Sequence, residues 1–387
     1  MANTKSTSKE IIDTHNKVSS VELEMILKKQ INSCLNDTSL VSKLPPILIH
    51  GSPGLGKSSI VKGVAKELGI GFIDVRLAQI EPCDIKGLPV PDKENKVMQW
   101  YINGTWPRDK NSKGILFLDE LKSCDRTIQV ASYELILDRK LGDLYNIPDG
   151  WTVVAAGNNA GDRAVATTMS SALANRFLHL ELEANSEDWV VWAQQNDIHP
   201  SVIGFINYRN IYLFKMDNEN LERGWPSPRS WERVSNVLKL YGDMGVDSPI
   251  LRKLVYGLVG NQAGVEFMEF HRLNAQFSNI LDYMLDSSKT IEIPEHSAEK
   301  YALVSSMVYL LWKGKDEDDQ NKRIDGFYRI SMELPNDFAA LAMSSALTGD
   351  NKTMTQMYAQ SLFYHPKNKE WANRFGKSLR KYMKVKN

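Results

Sequence analysis

Ile47-Leu-Ile-His50-Gly51-Ser-Pro53-Gly54-Leu55-Gly56-Lys57-Ser58-Ser59 decides how this chain is read. An apolar run, a glycine-rich turn and a helix-forming stretch follow one another, the strand, loop and helix context that a phosphate-binding loop needs. Backbone N–H groups can surround phosphate oxygens only where no side chain blocks them. Gly51, Gly54 and Gly56 leave that approach open, with Pro53, Leu55 and Ser59 completing the loop. The helix expected from about residue 58 to 68 repeats apolar residues at Ile60, Val61, Val64, Ala65 and Leu68, which buries one face and leaves the N-terminus to hold anions. Lys57 is placed on the β/γ-phosphates, and Ser58 offers its hydroxyl to Mg²⁺, a hard cation that takes oxygen ligands. The competing reading is an ordinary glycine-rich turn.

The 387 residues are too many for one compact core and suggest two or three domains. Lys+Arg and Asp+Glu both number 47, so no global charge points to nucleic acid or an anionic membrane, while local patches stay open. Cys34, Cys83 and Cys124 lack C-x-x-C spacing, which argues against a disulfide framework or zinc ribbon and fits a reducing cytoplasm. No apolar run reaches the length of a membrane span, and the first residues lack a signal peptide's apolar core, so a cytoplasmic protein is expected.

Residues 1 to about 19 are polar and read as frayed; Val21 to Leu35 reads as a lead-in helix. Gly71–Arg76 is a second strand, and the βαβ start favours a parallel sheet. Between Glu81 and Pro107, prolines and glycines around Val97–Ile102 suggest a loop-and-hairpin insertion rather than a helix. It is either a long surface loop or a mobile element that touches substrate. Gly114-Ile-Leu-Phe-Leu-Asp119-Glu120 reads as a buried strand whose C-terminal end meets the ligand, with Asp119 for the Mg²⁺ shell and Glu120 to polarise the attacking water. Thr127–Leu137 is helical, and a small hairpin follows it. Trp151–Ala156 is another strand, ending at Gly157-Asn158, and Asn158 is a candidate for holding the lytic water or the γ-phosphate, or merely for capping the turn. Phe177–Leu182 is a fifth strand, with Arg176 just before it.

Downstream the character becomes helical. Ser186–Asn196 and Ser201–Phe214 are followed by a helix through Leu240 with Ser230 as its N-cap. Arg229 opposes that helix's dipole and so answers an outside anion. Pro249–Leu285 is helical, and Ser297–Trp312 is apolar enough to read as core, a partner-docking surface being the alternative. Asp316–Asp319 reads as a solvated turn; the ligand spacing of a metal loop is missing. Between Arg374 and Lys386 lie six basic residues and no acid, either a solvated helix or tail, or a weak contact for nucleic acid or an acidic partner.

Over about residues 45 to 240 the chain resembles an AAA+ ATPase, and within that group the MoxR-type, helix-2-insert branch. Gly51–Ser58 matches Walker A, Leu116–Glu120 matches Walker B, and Asn158 falls at sensor 1. Ser171–Phe177 resembles the segment that carries the arginine finger, which implies that Arg176 reaches a neighbouring subunit. Ser227-Pro-Arg229 resembles sensor 2, which implies contact of Arg229 with γ-phosphate in its own subunit. The stretch from 88 to 106 takes the place of the helix-2 insert. Asn159 stands where many relatives have proline.

The resemblance implies ATP and Mg²⁺ as cofactors and an α/β P-loop core followed by an α-helical lid and an extra helical region. The expected divisions are 1–42, 43–184 with an insert at about 82–107, 185–285 and 286–387. It also implies a homo-oligomer, a hexameric ring, acting on a protein client, with a von Willebrand factor A-type partner. The expected activity is an ATP-driven remodelling motor; the rivals are a nucleic-acid-acting AAA+ protein and a nucleotide-gated scaffold with little turnover.

Overall fold

The computed structural model describes residues 16–159, 169–216, 223–348 and 352–385. They fall into two compact units, divided between Glu183 and Ala184.

The first unit is built on a parallel sheet. Its strands are β1 (Lys17–Val18), β2 (Ile47–His50), β3 (Gly71–Arg76), β6 (Gly114–Asp119), β9 (Trp151–Gly157) and β10 (Leu178–Leu182), in the order β1-β10-β2-β9-β6-β3. Two antiparallel hairpins stand apart from it, β4 (Leu88–Asp92) with β5 (Val97–Tyr101) and β7 (Lys140–Leu141) with β8 (Tyr145–Asn146). The central strands are apolar on both faces because helices cover both. Ile47, Ile49, Ile115 and Phe117 join Leu27 and Ile31 of α1 (Ser20–Asn36) and Val61 and Val64 of α2 (Lys57–Glu67). The alternate residues Leu48, Leu116 and Leu118 face Ile128, Ala131 and Leu135 of α4 (Arg126–Leu137).

Two local expectations are corrected here. Lys17–Val18 is not frayed: it is an edge strand beside β10, where Glu183 N–H donates to the Val18 carbonyl at 3.0 Å and Lys17 pairs with Glu183 at 2.6 Å. An edge strand needs main-chain partners rather than apolar side chains, so hydropathy does not reveal it. The insertion carries its expected hairpin and also a short helix, α3 (Pro82–Lys86). Pro82 starts it rather than breaking it, since the first helical turn needs no proline N–H, and Glu81 and Asp84 form a capping box.

The second unit is helical: α6 (Ser186–Gln195), α7 (Pro200–Tyr208), α8 (Pro228–Tyr241), α9 (Pro249–Val259), α10 (Asn261–Ala275), α11 (Ile280–Leu285), α12 (Ser297–Leu311), α13 (Glu317–Glu333), α14 (Asn336–Ala346), α15 (Lys352–Phe363) and α16 (Asn368–Val385); the short α5 (Ser171–Ala174) belongs to the first unit. Phe205, Trp231 and Phe267 pack ring against ring at 5.3–5.4 Å. One continuous core runs from Trp189 to Phe375, passing residue 286 without a break. Helix α12 is core, with Ala302 to Met307 buried.

Asp316–Asp319 is not a free turn. Asp316 caps α13 by accepting from Asp319 N–H at 2.8 Å, and the first-turn acids suit the helix dipole. Ser230 is likewise not the cap of α8. Ser227 is, accepting from Ser230 N–H at 3.2 Å, while Ser230 Oγ takes the Ser227 N–H at 2.8 Å. Pro228 at the first helical position forces the cap one residue ahead of itself.

Candidate functional site

The carboxyl ends of β2, β9 and β6 converge because their register aligns them: His50 lies opposite Gly157, and Leu118 opposite Ala155. The residues that follow these strands, Gly51, Asn158 and Glu120, therefore share one edge of the sheet, where open α/β sheets hold ligands. The loop after β2 can only be made with glycine. Gly51, Gly54 and Gly56 have φ of 157°, 88° and 92°; a Cβ on Gly51 would meet the Leu182 carbonyl oxygen at 3.0 Å, while one on Gly56 would occupy open space. Gly56 starts α2 in the left-handed conformation without a side-chain cap, so the first-turn N–H groups have no capping side chain.

Lys57 is buried, and its ammonium donates to Gly51 O at 2.5 Å, Ser52 O at 3.2 Å and Asn158 Oδ1 at 3.3 Å. Asn158 and the loop lysine are thus brought together. Pro53, Leu55 and Ser58 are half-buried and Ser59 is exposed. At the end of β6, Asp119 Oδ1 accepts from Glu120 N–H at 2.9 Å, and Glu120 has φ of 60°, in the left-handed region. Non-glycine residues adopt it at a cost of about 1–2 kcal/mol. Leu121 N–H pins the turn on the Ala156 carbonyl at 2.9 Å, and Gln129 Nε2 holds the Leu121 carbonyl at 3.2 Å.

A pair of histidines beside the loop escaped the sequence reading. His179 Nε2 lies 2.7 Å from the Ala174 carbonyl, which can only accept, so that nitrogen carries the proton. His179 Nδ1 must then accept from His50 Nε2, 2.8 Å away. Burial, with Lys122, His179 and Lys57 nearby, pushes His50 down to about 3 and keeps it neutral. The pair ties the last residue of β2 to α5, just ahead of Arg176. No spacing rule marks it, because the two strands are neighbours only in the sheet. Asn159 Nδ2 donates to Glu181 on β10 at 3.2 Å, a bond that proline there could not make.

Arg176 is not at this edge. It precedes β10, whose Leu178 lies opposite Ile47, and it is exposed beside a cavity lined by Pro45, Pro46 and Thr152 at the amino ends of the strands. The four residues of β2 alone put about 13 Å between the two edges. Arg229 is exposed on the first turn of α8 in the helical unit.

Residues 47–180 match the family described as ATPase family associated with various cellular activities (AAA). This segment is an AAA ATPase domain. The AAA core spans all the strand-end residues just described. The chain is 23% identical to midasin of Giardia intestinalis over 171 residues, 42% of this chain and 4% of midasin. It is 28% identical over 146 residues to the Holliday junction branch migration complex subunit RuvB of Synechococcus sp., 35% of each chain. It therefore spans only a small part or about a third of these curated relatives. A solved RuvB variant from Thermotoga maritima covers 76% of this chain and 91% of its own, at 17% identity and a TM-score of 0.36.

Chemically, the AAA core offers an anion cradle of backbone N–H groups, one buried cation and two carboxylates. Among the described residues no group of three or more His, Cys, Asp or Glu could hold a metal by itself. Mg²⁺ in nucleotide sites uses one or two protein ligands, with phosphate oxygens and waters completing its shell, and Ser58 with Asp119 fit that pattern. The uncapped start of α2 and the open space at Gly56 fit a phosphate chain.

Proposed function

We propose that this chain is an ATP-hydrolysing motor of MoxR-like type that assembles as a ring, hydrolyses ATP at subunit interfaces and remodels or activates a protein client. The observation that carries the reading is the separation of Arg176 from Lys57: the exposed arginine lies at the amino edge of the sheet and the phosphate loop at the carboxyl edge. An arginine so placed serves a neighbour's nucleotide more readily than its own.

In this reading the loop from Gly51 to Ser59 binds the phosphates through main-chain N–H groups, and Lys57 turns from its carbonyl partners to them. Ser58 and Asp119 hold Mg²⁺, whose chemistry is to neutralise charge on the phosphate oxygens. Glu120, turned out of its strand, orients and polarises the attacking water, and Asn158 steadies the same region. Arg229 takes the γ-phosphate role that its resemblance to sensor 2 implies. The hairpin of β4 and β5, with Trp100 and Tyr101 exposed, is the element that meets the client. A von Willebrand factor A-type partner and a cytoplasmic setting belong to the same reading. No helix of the described residues is long and apolar enough to cross a membrane.

The test is ATPase rate against protein concentration for the wild type, Glu120→Gln, and an equal mixture of Lys57→Ala with Arg176→Ala. The rate per chain should rise with concentration, fall about 10²–10⁴-fold in Glu120→Gln, and partly return in the mixture. A concentration-independent rate with no recovery on mixing would remove the interface role of Arg176.

A further inference from the structure

The equal totals of 47 cations and 47 carboxylates hide a local excess: residues 352 to 385 hold eight Lys or Arg and one acid, Glu370. Helix α16 buries Trp371 and Phe375 and packs Leu379 and Tyr382 against the core. At about 100° per residue, Lys369, Arg374, Lys377, Arg380 and Lys381 then fall within an arc of about 140° on the opposite side. All five are exposed. Among the described residues none of them has a carboxylate partner, although nearby Lys367 pairs with Asp325 at 2.7 Å. Arg374 lies over the Phe375 ring, and Arg380 Nε donates to Gly376 O at 3.3 Å. Glu187 and Asp337, the carboxylates grouped with Tyr382, lie on the packed side.

A merely solvated helix gains from opposite charges three or four residues apart. Glu370, four residues before Arg374, is the one acid on that arc and among the described residues pairs with none of the five cations, while Arg374, Lys377 and Lys381 follow at spacings of three and four with the same sign, an arrangement that repels itself until a polyanion covers it. The corner before α16 adds a second feature. Phe363 is 50% and Tyr364 85% exposed, two aromatic rings in water a few residues ahead of the start of that helix at Asn368. A lone cation patch suits any polyanion; the rings select one whose flat faces are free to stack.

We propose that α16 and the Phe363–Tyr364 corner form a docking surface for single-stranded nucleic acid, the cations meeting phosphates and Tyr364 stacking on a base. Duplexes hide their base faces, and acidic peptides have none. This surface is independent of the ATPase reading, since binding needs no turnover.

The test is fluorescence anisotropy of the full chain with labelled oligo(dT) of about 20 nucleotides, a duplex of that length and polyglutamate. With four phosphate contacts, oligo(dT) affinity should fall about 50-fold between about 50 and about 200 mM salt. Joint replacement Lys377→Gln, Arg380→Gln, Lys381→Gln should weaken binding at least about 10-fold and flatten the salt slope by about 2. Tyr364→Ala should weaken it about 5-fold or more and leave the slope unchanged. Thermal melting should not move in either variant, because all four side chains are exposed. No oligo(dT) binding, indifference to either variant, or equally tight binding of the duplex or polyglutamate would overturn the proposal.

Discussion

The sheet unit and the helical unit place their informative residues in opposite environments. In the first, Asp119, Glu120 and Asn158 sit at strand ends, partly exposed, and Glu120 is held in a left-handed turn. In the second, Trp231 and His271 are buried and His199 is half-buried, and Trp231 has no exposed surface while its Nε1 donates to Tyr212 O at 2.6 Å. The contrast teaches where substitution should be felt: chemistry in the sheet unit, folding in the helical one.

The strongest way to break that contrast is Arg176→Ala. The side chain is exposed, so melting should stay in place while ATPase rate falls about 10³–10⁵-fold if the arginine acts across an interface. A melting shift of several degrees with activity kept would reverse the assignment. In the helical unit, Trp231→Ala should cost about 3–5 kcal/mol, read by denaturant unfolding, because it empties the space shared with Phe205 and Phe267.

A smaller effect comes from acid. Burial pushes His199 to about 3 and His271 to about 4, below the ordinary 6.5. The unfolded chain then binds more protons than the folded one below pH 6.5, so stability is full above that value and is lost as pH falls towards 3–4. Melting temperatures measured from pH 7.5 down to about 4.5 should hold to about pH 6.5 and decline below it; a flat profile would mean that both imidazoles titrate normally. The smallest effect expected is Ser227→Ala, about 1 kcal/mol for the lost cap of α8. Ser230→Ala, removing the reciprocal acceptor, tests the same capping box from its other side.

The phosphate loop was legible because its requirements are local: glycines where side chains would block an anion, a lysine next to them, a helix start beyond. Asp119 and Asn158 were legible because apolar strands end where a sheet meets solvent. The turn at Glu120 was not, since it depends on Leu121 reaching the carbonyl of Ala156, far away in sequence. The shift of the α8 cap from Ser230 to Ser227 was within reach of the sequence, through the rule that proline prefers the first helical position.

The sequence alone therefore determined the parallel P-loop sheet, the succession of helices after it and the identity of the strand-end residues, because apolar period and turn chemistry are short-range properties. Only the tertiary structure decided that β1 completes the sheet edge, that His50 and His179 share a hydrogen bond, and that Arg176 stands across the sheet from Lys57. Each of those depends on which strands become neighbours, and that is settled by packing between segments more than a hundred residues apart.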